Sequence, residues 1–377
     1  MTDPRFERLA ELIADYSLRL RERQILRIDA TVATAPFVVA LHRAALRRRA
    51  HPYTNLELDG VRELLVSEGS DDQIDYVSPI DRREIERIDA LVTVWGDANT
   101  RSFTQTDPAR HQRLLAAERV LRNRRWERIS AGELRWCGTL APTAAQAQDA
   151  EMSLREYEDF VFRACHVLDD DPVAHWRGVS DELERRARQL DSVQELRIVG
   201  EDTDLVVGVA GRRWEAADGQ LNMPDGEVYT SPLETATEGT VRFGFPAVFE
   251  GREIDDVRLR FEGGRVVGWE TRTGSAYFEQ LLAMDDGARV LGEVAFGLNY
   301  EIDRFTRDIL FDEKIGGTMH LALGYGFAEL GAQNVSRLHF DLICDLRRDG
   351  EVYADGELIW RAGRFLAEPP VPAGARG

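Results

Sequence analysis

The sequence predicts an α/β protein of two domains: an N-terminal α/β domain built on a parallel sheet and a C-terminal, mainly β (α+β) domain. Three observations carry this. Up to about residue 185, helical and strand-like patterns alternate, which argues for a parallel sheet with helices packed on it. From about Val193 the pattern changes to short strands separated by glycine-containing turns. And 377 residues leave room for two cores, because domains usually run to about 100–200 residues. The expected division is 1–185, 186–365 and a loose Pro/Gly/Ala-rich tail at 366–377.

Taken in order, Arg5 to Arg21 reads as an amphipathic helix with Leu9, Leu12, Ile13, Tyr16 and Leu20 on one face. The apolar run Ile25–Ile28 follows, then a helix from about Pro36 to Arg49. Ile88 to Trp95 is a continuous apolar run ended by Gly96, as expected of a strand covered on both faces. Asp107 is placed to cap a helix from Pro108 to about Arg122. Two more helices are expected at Ser153–Leu168 and Asp171–Leu190. In the second half, strands are expected at Leu196–Ile198, Leu205–Val209, Val257–Phe261, Arg265–Trp269 and Val352–Ile359, the last turning at Asp355-Gly356. One helix, near Ser275–Met284, interrupts them. No GxGxxG opens any of the early helices, which argues against a dinucleotide site.

Composition narrows the function. The 67 acidic residues outnumber the 48 basic ones, for a formal charge of −19, and such a surface repels phosphate backbones, so no nucleic-acid partner is expected. Only Lys314 among the basic residues is lysine. The acidic excess, screened at high ionic strength, fits a salt-adapted cytoplasm. No apolar run reaches the roughly 18 residues of a membrane span, and the charged N-terminus shows no signal peptide, so a cytoplasmic protein without membrane contact is expected. Cys137, Cys165 and Cys344 lie far apart and offer neither a disulfide framework nor a CxxC metal pair.

Five of the seven histidines, His42, His51, His111, His166 and His175, follow no ligand spacing and read as helical surface or core positions. The other two lie in denser surroundings. In RLHFDLIC a strand puts His339 and Asp341 on one face and Leu338, Phe340 and Leu342 on the other. His320 follows Glu313 by seven residues across Gly316-Gly317, where glycine lets the backbone double back. Glu227 enters a strand from a Pro-Asp-Gly turn, and Glu293 sits in an apolar run where a buried carboxylate needs a partner. Glu227, Glu293, Glu313, His320, His339 and Asp341 form a donor set suited to Zn²⁺, Co²⁺, Mn²⁺ or Mg²⁺. Two carboxylates ~4 Å apart repel by ~4 kcal/mol at an effective dielectric of 20. Two divalent cations would bring four carboxylates and two neutral imidazoles to formal neutrality.

The stretches NMPDGEVYTSP, GEVAFGLN and DEKIGGTMHLALG, followed by the H-x-D strand, resemble in that order the signature of the aminopeptidase T/aminopeptidase S family of metallopeptidases. DYSLRLRERQILRIDA, AHPYTNL and DGELIW extend the resemblance over nearly the whole chain. It implies a two-domain, usually homodimeric exopeptidase with two divalent metal ions in the C-terminal domain, acting on peptides with a free N-terminus. The ligands it implies are Glu227, Glu293, Glu313, His320, His339 and Asp341; among them Glu293 is expected to be the bridging carboxylate and Glu313 a ligand or the general base. The family usually carries a tyrosine where Phe327 stands; Tyr325, two residues earlier, either takes its catalytic role or that assistance is absent. The rival expectations are another dinuclear metallohydrolase, an amidase or phosphoesterase, and a catalytically inactive scaffold.

Overall fold

The computed structural model describes residues 3–249 and 251–366; the expected tail, apart from Leu366, lies outside them. The chain divides into two compact units. One comprises the chain up to Gly178 together with Asp218–Asp225; the other comprises Val179–Ala217 and everything from Gly226 onward. The segment Asp218–Asp225, which a single cut near residue 185 assigns to the second domain, packs with the first unit.

The first unit is a five-stranded sheet in the order His51–Glu57, Ile25–Thr31, Ala90–Trp95, Arg135–Leu140, Asn222–Met223, with every neighbouring pair parallel. The Ala90–Trp95 strand is central, which is why its sequence is apolar almost without interruption. The helix expected over Arg5–Arg21 runs from Pro4 to Leu12 and continues as a wider π-type turn to Ser17. It stops there because Tyr16 and Ser17 donate hydrogen bonds to the carbonyls of Asp218 (2.9 Å) and Gly219 (2.6 Å), and because Arg19 turns left-handed. Asp107 caps its helix as expected, accepting from the Ala109 N–H, but the helix reaches Ser130 rather than Arg122. The helices expected at Ser153–Leu168 and Asp171–Leu190 run from Leu154 to Ala164, opened by a Ser153/Glu156 capping box, and from Pro172 to Leu190, the latter passing into the second unit at Val179.

In the second unit an eight-stranded antiparallel sheet holds the hairpins of the sequence reading, including Val257–Glu262 with Arg265–Glu270 and Glu351–Ala354 with Glu357–Arg361. A five-stranded antiparallel sheet runs in the order His339–Asp345, Thr318–Gly324, Leu291–Gly297, Glu227–Thr230, Glu215–Ala217. One apolar core joins the two, with Ile198, Leu205 and Val241 from the larger sheet meeting Phe296, Leu321 and Leu342 from the smaller. Each such side chain contributes about 1.5–3 kcal/mol on burial. No helix among the described residues is long and apolar enough to cross a membrane.

Candidate metal centre

The five-stranded antiparallel sheet separates core from chemistry by strand parity. Val294, Phe296, Met319, Leu321, Leu323, Phe340 and Leu342 point into the core. Their neighbours along the chain, Glu293, His320, His339 and Asp341, therefore share the opposite face. Pairing brings them level: Glu293 stands opposite Ala322, Ala322 opposite Asp341, and Ala295 opposite His320. Glu227 joins from the next strand, opposite Gly297. The small Ala295 and Ala322 leave the space between the polar side chains open. Glu313 arrives from outside the sheet, as the C-cap of the short Ile309–Asp312 helix. The turn at Gly316-Gly317, where Gly317 takes φ +95°, returns the chain so that the Glu313 carbonyl accepts from His320 Nδ1 at 2.9 Å.

That bond fixes a tautomer. His339 Nδ1 likewise meets the Tyr325 carbonyl at 3.1 Å, so both rings carry Nδ1–H and turn Nε2 toward the carboxylates. His320 Nε2 lies 3.4 Å from Glu293 Oε1 and 3.6 Å from Glu227 Oε2. His339 Nε2 lies 3.2 Å from Glu293 Oε2 and 3.5 Å from Asp341 Oδ1. Glu293 thus reaches one histidine with each oxygen. Donor atoms bound ~2.0–2.2 Å from one cation stand about this far apart. Two triads close enough to hold a metal result, Glu293/His339/Asp341 and Glu313/His320/Asp341, with Asp341 common to both. Glu227 stands beside them. Asp341 Oδ1 is buried without a hydrogen-bond partner, which leaves an acceptor where a cation fits. The donor set therefore suits divalent cations, both in ligand type and in the available atoms.

The charges tell the same story. Loss of hydration would lower both imidazoles, yet Glu293, with Glu227 for His320 and Asp341 for His339, holds each of them up at about 10. Burial would raise Glu293, but the two histidines draw it down to about 2. Asp341 is raised by burial, with Glu313 and Glu293 repelling its charge against the pull of His339. So the carboxylates draw positive charge strongly to this face. Lys314, fully buried, supplies one more cation: its ammonium contacts Glu313 and lies 3.9 Å from Glu227 Oε1.

Tyr325 and Phe327 are placed differently from one another. The Phe327 ring packs against His339, centroids 5.6 Å apart, and against Tyr229 at 5.4 Å. The Tyr325 side chain is exposed and meets the centre through its carbonyl. One cluster escaped the sequence reading. His166 and His175, read there as unrelated helix positions, stack with centroids 3.7 Å apart, and both present Nδ1 to Asp169 Oδ2, at 3.3 and 2.9 Å. His166 follows a helix C-terminus in a left-handed conformation, a bend that spacing alone does not reveal.

The thermophilic metalloprotease family (M29) matches residues 2–365. An aminopeptidase 2 of Geobacillus stearothermophilus is 29% identical over 408 aligned residues, spanning 96% of this chain and 98% of that protein. The structure is similar to wild-type AmpT from Thermus thermophilus, with a TM-score of 0.85 at 25% identity over 97% of this chain and 99% of the other. A 2,5-dihydroxypyridine dioxygenase from Pseudomonas putida matches over 96% of this chain and 97% of its own with a TM-score of 0.58 at 15% identity, a likeness of fold alone.

Proposed function

This chain belongs to the thermophilic metalloprotease (M29) family and is a metallo-aminopeptidase, and we propose that it works through two divalent cations held by Glu227, Glu293, Glu313, His320, His339 and Asp341. Divalent metal ions and peptide substrates follow from the family; their number, the ligand set and the roles below are our reading. Its main support is the convergence of six residues from four strands and a helix end on one face, with Nε2-to-carboxylate distances of 3.2–3.6 Å. Zn²⁺, Co²⁺, Mn²⁺ or Mg²⁺ in such a set supplies Lewis acidity, polarising a carbonyl and making water nucleophilic near neutral pH.

The chain's own groups do the rest. Glu293, reaching both histidines, bridges the two halves of the centre. The free α-amine of a peptide is drawn to this carboxylate-rich face, which sets the cut at the amino end. Glu313 takes a proton from the attacking water on its carboxylate and returns it to the leaving amine. The Lys314 ammonium beside it offsets part of the local negative charge, and the Phe327 ring packs against His339. We extend the reading to a cytoplasmic homodimer, as the family resemblance implies; sedimentation of the purified protein tests the dimer.

Elemental analysis of the protein purified at molar salt, paired with amino-acyl-p-nitroanilide hydrolysis before and after chelation, tests the centre. Two metals per chain and chelator-sensitive, metal-restorable activity are expected. Metal without activity on any amino-terminal substrate would sink the mechanism, and absence of metal after loading would sink the ligand set. Glu313→Gln is expected to abolish turnover. Retained metal then marks Glu313 as the base, and lost metal marks it as a ligand.

A further inference from the structure

Among the described residues, one group of metal-ligating side chains converges away from the metal centre, in the segment HVLDDDPVAHW. It spans the turn between the Leu154–Ala164 and Pro172–Leu190 helices. His166 leaves the first helix in a left-handed conformation, φ +53°, which a residue other than glycine seldom adopts. Its N–H donates to the Arg163 carbonyl at 2.9 Å, and the Asp169 N–H donates back to the His166 carbonyl at 3.3 Å. Arg8 donates to the Asp169 carbonyl, so the turn is held from a third element as well. Asp171 accepts from the Ala174 N–H at 3.0 Å at the start of the second helix, whose first turn carries His175.

The outcome is a pair of imidazoles closed over one carboxylate. Asp169 Oδ2 lies 3.3 Å from His166 Nδ1 and 2.9 Å from His175 Nδ1, and the three side chains each offer a ligand atom within 4.8 Å of the others. Donors bound ~2.0–2.2 Å from a single tetrahedral cation stand about 3.0–3.6 Å apart. The two rings stack, with centroids 3.7 Å and planes 19° apart. Histidine ring torsions are broad, so a small turn of each ring aims both Nδ1 lone pairs at one point beside Oδ2. Buried Trp176 stands edge-on to both rings, at 6.0 and 6.3 Å, and is fixed by its Nε1–H donating to the Cys165 carbonyl at 2.9 Å. The indole backs the pair on one side, and the part-exposed side chains leave another side open to water.

We propose that His166, Asp169 and His175 bind one divalent transition-metal ion, Zn²⁺, Ni²⁺ or Cu²⁺, with water completing its shell. Two imidazoles and one carboxylate select these cations over Mg²⁺ and Ca²⁺, which take oxygen ligands. All three residues belong to the first unit, whereas the six residues of the metal centre belong to the second, so this ion shares no ligand with the catalytic pair. It ties the end of one helix to the start of the next and, by binding the folded turn alone, stabilises it.

The full-length enzyme is dialysed against buffered Zn²⁺ from nanomolar to micromolar, with and without millimolar Mg²⁺, and bound zinc is counted by elemental analysis. The wild type is expected to hold one zinc per chain more than His166→Asn, chosen because asparagine tolerates a left-handed backbone, and one more than His175→Gln. Amino-acyl-p-nitroanilide hydrolysis should be unchanged in both variants. The affinity lost should be about 100-fold or more, since even the outer partners of metal ligands cost about 10–100-fold. A failure of the two-metal reading alters total zinc and hydrolysis in all three proteins alike and leaves the difference between them readable. Equal zinc in the wild type and both variants overturns the proposal and makes the trio a hydrogen-bonded cluster. So does displacement of the extra zinc by Mg²⁺, or the joint loss of zinc and hydrolysis in a folded variant, which places the ion in the catalytic centre. Circular dichroism establishes that each variant is folded, and His175→Gln carries the test if His166→Asn is not.

Discussion

Lys314 stands where an ammonium fits and a guanidinium does not. Every other basic residue in the chain is arginine, yet this fully buried position, between Glu313 and Glu227, keeps the compact cation. Arginine is planar, wider and needs a fork of acceptors, and overfilling a packed interior costs about 1–3 kcal/mol. Lys314→Arg is therefore expected to lower both thermal stability and kcat. Lys314→Met keeps the bulk and removes the charge, leaving the carboxylates less compensated, a loss of about 3–5 kcal/mol when one partner of a buried pair is deleted. Calorimetry should show a larger fall in Tm for the chelated protein than for the metal-loaded one, because bound cations replace the missing charge. Equal falls would mean that Lys314 acts only by packing. For Tyr325 the carbonyl, not the phenol, touches His339, so Tyr325→Phe should leave kcat nearly unchanged; a large fall would place its hydroxyl on the substrate.

Among the elements, the Leu291–Gly297 strand carries the most constraint. Its pairing shifts register between Leu291 and Glu293, and a side chain on Gly292 would begin 2.0 Å from the Tyr325 carbonyl oxygen. That carbonyl orients His339, and the next residue is the carboxylate that reaches both histidines. Gly292→Ala is thus expected to reduce metal content and activity together, measurable by elemental analysis and p-nitroanilide turnover, while the core-facing Val294 and Phe296 hold the fold. Full metal with normal turnover would show that the strand yields at no cost. The alternation that sorts His339 and Asp341 from Phe340 and Leu342 was legible in the sequence, because parity is local. The convergence of Glu227, Glu313 and His339 was not, since it depends on strand register set by partners far apart in the chain; the family resemblance joined what spacing left separate. The second half of the Pro108–Ser130 helix was hidden for another reason. Only Leu114 and Arg128 are buried in it, so no apolar period marks its later turns. The His166/Asp169/His175 cluster depends on one left-handed residue after a helix, and a single φ leaves no periodic trace.

For the molecule as a whole, the −19 charge is a long-range term that local pairing does not cancel. Exposed arginine–carboxylate pairs such as Arg197–Asp204 and Arg113–Asp75 are worth about 0–1 kcal/mol each and weaken with salt, whereas salt screens the repulsion among all the unmatched carboxylates. The second effect should win, and Tm should rise from low to molar KCl; a falling Tm would show that the pairs dominate and that the acidic excess is not an adaptation to salt. The path of the chain has a consequence for biosynthesis. The first unit's sheet is completed by Asn222–Met223, and Tyr16 and Ser17, near the start of the chain, are tied to Asp218 and Gly219. A nascent chain emerging at about 5–20 residues per second therefore exposes a parallel sheet with an unfinished edge while the whole of Val179–Ala217 leaves the ribosome. Its amino-terminal half closes only after part of its carboxyl-terminal half has been made, so a fragment released near residue 185 lacks the strand that seals it.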